Sequence, residues 1–157
     1  MVLGANEYND DYPTCARTLA ELIISGDALD LEGVTRSLGI VPSDQRKKGE
    51  QKVNSLGLVR EAPYTMWILS SEGQVASLDL RRHLDFILLQ LDGKAAELAA
   101  IREQSNAAAY VRCIWWARAQ GGPMLSPKQM SALARFDLQV WFEFADFVDE
   151  APSNEPV

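Results

Sequence analysis

Four stretches of the chain alternate between apolar and polar residues with a period of two, and four others repeat their apolar residues at helical spacing. From Thr14 to Ile24 the even positions Thr14, Ala16, Thr18, Ala20, Leu22 and Ile24 oppose Arg17 and Glu21, the pattern of a strand with one buried face. Asp30 is placed to cap a short helix over Leu31–Leu38, with Leu31, Val34 and Leu38 on one face, Gly39 at its end and Pro42 beyond. Tyr64–Ser71 reads as a second strand. A helix from about Asp79 to Leu91 carries Leu80, Leu84, Ile87, Leu88 and Leu91 as its apolar stripe, and "KAAELAAIREQ" forms another after Gly93. Ala108–Arg118 is a strand whose odd positions are wholly apolar (Ala109, Val111, Cys113, Trp115, Ala117), while its even positions mix rings and cations. Ser126, Pro127 and Gln129 spell a helix start with a capping box. In the last stretch Leu138, Val140, Phe142 and Phe144 oppose Gln139, Trp141 and Glu143.

Helices between strands would suit a doubly wound parallel sheet, but strands covered on both faces read as continuous apolar runs, and these alternate. The expected fold is therefore α+β, a mainly antiparallel sheet with helices packed on one face in the ferredoxin-like style. One domain is expected over residues 13–150, with tails at 1–12 and 151–157. Trp115 would enter the core. Tyr110, Arg112, Trp116 and Arg118, with Trp141 and Glu143 of the last strand, would form an aromatic and charged platform on the other side of the sheet. Large rings on an open sheet suit a protein interface or a dimer contact. They equally suit packing against long arginine stems.

Charge narrows the partners. The formal net charge is −7, which disfavours nucleic acid and anionic lipid and suits a basic protein. Asp137–Val157 has six acids and no lysine or arginine, which would repel a phosphate backbone near that end. Strand aromatics of this kind also stack RNA bases elsewhere, but the usual strand signature is missing here. No apolar run approaches the ~20 residues that cross a bilayer, and the N-terminus lacks the build of a secretory signal. Two cysteines, Cys15 and Cys113, are too few for a disulfide framework and have no metal spacing, so a reducing cytoplasm is expected, with no metal and no cofactor. His83, the single histidine, lies beside the apolar stripe of its helix, with no nucleophile tied to it by local spacing, and is expected to be structural. There is no phosphate loop or dinucleotide glycine pattern.

The segment from Ser43 to Pro63 is polar, with five basic residues between Arg46 and Arg60 and glycines at 49 and 57, and reads as a long loop or irregular hairpin. With it comes an ordered set of short cues: Gly-Asp after the first strand, Leu-Gly after the first helix, Pro followed by Lys-Gly-Glu, Trp-x-x-Ser-Ser, and Leu-Ser-Pro before the last helix. Over roughly residues 14–145 the chain resembles the bacterial family described as domain of unknown function 4279. The resemblance implies no established activity. Of its cues, Lys48, Gly49, Glu50 and Trp67 are not plainly capping residues. Gly49 suits a turn of positive φ, and Lys48 and Glu50 a surface ion pair; joined with Arg46, they and Trp67 are a candidate anion or peptide loop.

The expected function is that of a small acidic, non-catalytic binder of immunity or antitoxin type, which occludes a basic toxin or effector. One alternative is a small-ligand sensor or enzyme using the 46–50 loop and Trp67. Another is a homodimer through the open sheet face.

Overall fold

The computed structural model describes residues 8–53 and 57–146. The expected C-terminal tail and the first seven residues lie outside the described residues. Eleven elements follow in order: β1 (Cys15–Gly26), α1 (Leu31–Leu38), β2 (Asp44–Arg46), β3 (Gln51–Val53), β4 (Val59–Glu61), β5 (Thr65–Ser70), α2 (Leu80–Gln90), α3 (Ala95–Ser105), β6 (Ala108–Ala117), α4 (Pro127–Arg135) and β7 (Gln139–Asp146). The fold is α+β. Its main sheet runs β2-β5-β1-β6-β7, and β3 and β4 pair separately as a hairpin. Every pairing is antiparallel except β6–β7. The β1–α1–β2 unit is split by β5, a ferredoxin-like feature. The β6–α4–β7 unit is not split, and the ferredoxin-like arrangement as a whole is not confirmed.

The capping signals act where they were read. Asp30 accepts from Gly33 N–H, Gly39 takes φ 64° at the end of α1, and Ser126 and Gln129 complete their reciprocal box. Asp79 caps α2 by accepting from Arg81 N–H.

All four helices feed one apolar core. Leu31, Val34 and Leu38 of α1, Leu80, Leu84 and Ile87 of α2, Leu98 and Ile101 of α3, and Ala132 and Leu133 of α4 meet Leu22, Ile24, Trp67, Leu69, Val111, Cys113 and Trp115 of the sheet. These sheet residues share one parity, so the described helices cover one face only. Trp115 is among the most buried side chains. Its Nε1–H has no acceptor, and the Tyr12 ring stands perpendicular to it at 5.3 Å.

The alternation in β1 holds from Thr18 to Ile24 but not at its start. The register shifts between Cys15 and Arg17, so the extra residue Ala16 reverses the parity and Cys15, not Ala16, enters the core. Residues 8–12, expected within a tail, are tied to the body. Asn9 N–H donates to Asp79 Oδ2 at 2.7 Å, Tyr12 Oη to the Gly122 carbonyl at 2.9 Å, and Tyr8 Oη to Asp85, while Arg82 lies over the Tyr8 ring. No described helix is long and apolar enough to cross a membrane.

Candidate interaction face

The strand registers fix what stands on the face away from the helices. Rows run across the sheet: Arg46, Met66, Ser25, Ala108; then Asp44, Ile68, Ile23, Tyr110, Gln139; then Ser70, Glu21, Arg112, Trp141; then Leu19, Ile114, Glu143; and last Arg17, Trp116, Ala145. Leu19, Ile23 and Ile68 are buried between these neighbours yet stand outside the main core, so the face has a small apolar floor of its own.

The structure brings Tyr110, Arg112, Trp116, Trp141 and Glu143 onto this one face, but in two clusters. At one end Tyr110 and Trp141 lie with ring centroids 6.0 Å apart and planes inclined by 38°. At the other end Arg17 lies 4.6 Å from the Trp116 ring centre and also pairs with Glu72. Between them Arg112 donates to Glu21 Oε2 from Nε at 2.9 Å and from Nη2 at 2.6 Å, with Glu143 at 3.8 Å. Glu21 and Arg112 face each other directly across β1 and β6, so the pair is a cross-strand clamp that divides the rings. Arg118 lies just past the end of β6, exposed. Trp141 is 61% exposed and Phe144 63%, both on the outermost strand.

The loop residues do not assemble into one site. Trp67 is fully buried on the helix side, where its Nε1–H donates to Thr35 Oγ1 at 2.9 Å. Its register partner is Gln45, so neighbouring Arg46 points to the other side of the sheet and pairs with Asp44 at 3.2 Å. Lys48 reaches away to Asp27 Oδ1 at 3.0 Å. Gly49 takes φ 84° in the turn that opens the hairpin, its N–H donating to the Ala62 carbonyl, and the Glu50 carboxylate accepts from Lys47 N–H. The Lys-Gly-Glu cue is thus hairpin geometry, and the tryptophan of Trp-x-x-Ser-Ser is core.

At the Tyr110–Trp141 end the sheet opens into a cleft of about 890 Å³. Ser25, Met66, Ala108 and Tyr110 lie along it, with Tyr64, Asp27 and Trp141 among its other lining residues. The alternation of β5 carried a signal for Met66. Asp27 sits in a connecting segment, where no periodicity marks it, whereas Tyr64 shares the parity of Met66 and lies just ahead of β5.

The last serine of the same cue makes a contact that local spacing did not reveal. Ser71 Oγ accepts from Ala20 N–H at 2.9 Å and lies 2.8 Å from His83 Nδ1. The Ser77 carbonyl, 2.8 Å from His83 Nε2, can only accept, so Nε2 carries the ring proton, and Nδ1 of the neutral ring takes the Ser71 hydroxyl proton. Both side chains are buried, and burial holds the His83 pKa below 6.5. Each polar atom is paired within the protein. Burial likewise pushes the Cys15 thiol up to about 11 and the Cys113 thiol to about 12, far from the thiolate that a nucleophile needs.

A family model matches residues 14–146, most of the chain and all of the main sheet. The chain belongs to the family described as domain of unknown function (DUF4279). No curated protein and no solved structure matches it.

Proposed function

We propose that this member of the family is a non-catalytic protein-binding module whose helix-free sheet face and outer strand β7 dock a partner. The observation that carries this is Trp141. Its ring is more than half exposed, beside Tyr110, on a sheet face that none of the described helices covers. Such rings bury large areas at low entropic cost and anchor interfaces. The saturated Ser71–His83 pair and the high thiol pKa values speak against a nucleophilic site built from these groups. The finer form is an immunity-type role in the cytoplasm, in which the acidic chain, net charge −7, steers a basic toxin or effector onto this face. Two buried free cysteines are in keeping with a reducing compartment.

The test is a photo-crosslinking residue placed at Trp141 and, separately, at Leu89, which is exposed on α2. A single adduct formed from position 141 and not from 89, with the same protein in repeated trials, supports the proposal. Equal adducts at both positions, or none at 141, overturn it.

A second mode has its own support. Among the described strands β7 ends the sheet with one edge unpaired, and two β7 strands from two copies could join there. Light scattering would then report a dimer that Phe144→Lys converts to monomer.

A further inference from the structure

The cleft beside Tyr110 and Trp141 has a chemistry that selects its occupant. Its volume of about 890 Å³ falls in the range of built binding sites. Among its described lining residues the charged group is a carboxylate, Asp27, with no lysine or arginine. Phosphates and carboxylates therefore find no counter-charge in the lining itself. Two ring faces, Tyr110 and Trp141, stand 6.0 Å apart and splay by 38°, and Tyr64 lines the same space. An aromatic lining that ends at one carboxylate suits a long basic side chain, whose aliphatic stem packs on rings while its charged head reaches the acid. The molecule itself shows that an ammonium group reaches this carboxylate, since Lys48 Nζ lies 3.0 Å from Asp27 Oδ1. That pair is mostly exposed, so it exchanges readily with a competitor.

We infer that the cleft receives a lysine or arginine side chain of a basic protein partner, with the aliphatic stem along the aromatic lining and the cationic head at Asp27, and that Lys48 competes for the same carboxylate. The inference rests on the docking function proposed above and names the chemistry that the partner brings. It also gives Lys48 a role opposite to that of an anion ligand: it occupies a cation's place.

The test is an NMR titration of the whole chain with Nα-acetyl-lysine N-methylamide and with its uncharged counterpart, Nα-acetyl-norleucine N-methylamide. The lysine compound is expected to shift the Trp141 indole resonance and the amides of Ser25, Asp27, Ala108 and Tyr110. The norleucine compound should bind about two- to fivefold more weakly, the scale of an exposed ion pair. Asp27→Asn should weaken the lysine compound, and Lys48→Ala should strengthen it, both by a similar factor. Both substitutions fall on an exposed pair and leave the core untouched. Equal binding of the two compounds, no shifts in the cleft, or a Lys48→Ala variant that binds no better would overturn the inference. A partner still captured at Trp141 would then leave the docking function standing without the cation pocket. Failure of both experiments removes both.

Discussion

Ser71→Ala is expected to destabilise the protein severely although it removes a single oxygen. The hydroxyl accepts from Ala20 N–H in β1 and donates to His83 Nδ1 in α2, and so joins the central strand to the helix above it. Alanine would leave both partners buried and unpaired. Each such group costs about 1–3 kcal/mol, so the loss from the two should be roughly 2–6 kcal/mol. For a chain of this size that corresponds to a fall in Tm on the order of 5–15 °C. Urea unfolding followed by tryptophan fluorescence and by circular dichroism measures it, with an unchanged denaturant slope expected. A loss below about 0.5 kcal/mol would refute the reasoning, because it would mean that water reaches these groups and that the serine is not a buried lock. The same network sets a pH dependence. His83 is held neutral in the fold with a pKa below 6.5. The unfolded chain therefore binds the proton more readily, and stability that is full above pH 6.5 is lost as pH falls toward the native pKa. His83→Gln should remove that slope at about pH 5–6.5, where the carboxylates with lowered pKa values, Asp10, Asp44 and Asp79, are still ionised in both states.

Other outcomes follow from the same contacts. Arg112→Leu should cost more than Glu21→Leu, by about 1–2 kcal/mol, because it strands the more buried partner, and the double replacement should recover most of the loss; additive single effects in urea unfolding would contradict the clamp. Iodoacetamide at pH 8 should leave native Cys15 and Cys113 unmodified and label both in urea, as mass spectrometry would show. Trp67→Phe should lose about 1–2 kcal/mol through the unpaired Thr35 hydroxyl and the smaller ring, and should leave crosslinking from position 141 unchanged. Asp79 is pushed up by burial, but hydrogen bonds from Arg81 and Asn9 outweigh this and hold its carboxyl low, so it should stabilise the fold above pH 3.8 and cease to do so in stronger acid; Asp79→Asn should flatten the acid limb of the unfolding curve.

Legibility in the sequence follows the range of the forces involved. α1 and α4 were readable because their caps are local hydrogen bonds within three residues. The two tryptophans of β6 separated as parity demands, Trp115 inward and Trp116 outward. Parity failed at Ala16, since nothing in the local sequence marks an inserted residue whose effect appears only against β6. The expectation of a mainly antiparallel sheet held, and the parallel pair among the described strands, β6–β7, is the one that the α4 crossover creates. For the face, the residues named on β6 and β7 were found together because one period governs them all. The split of that face by Glu21 was not visible, since it depends on which residue stands across from Arg112. The loop site failed for the reverse reason: Arg46, Lys48 and Trp67 are close in sequence, but the pleat sends Arg46 and Trp67 to opposite faces.

The parallel junction between β6 and β7 also orders events at the ribosome. Synthesis completes β6 well before α4 and β7 emerge, and only then does β6 gain its second neighbour. Nascent chains halted in that interval would present a bare flank beside Cys113 and Trp115, a template for clumping with other unfinished chains. Premature stop codons between β6 and β7 are therefore expected to yield insoluble product that burdens the cell's chaperones, rather than a shortened but serviceable domain.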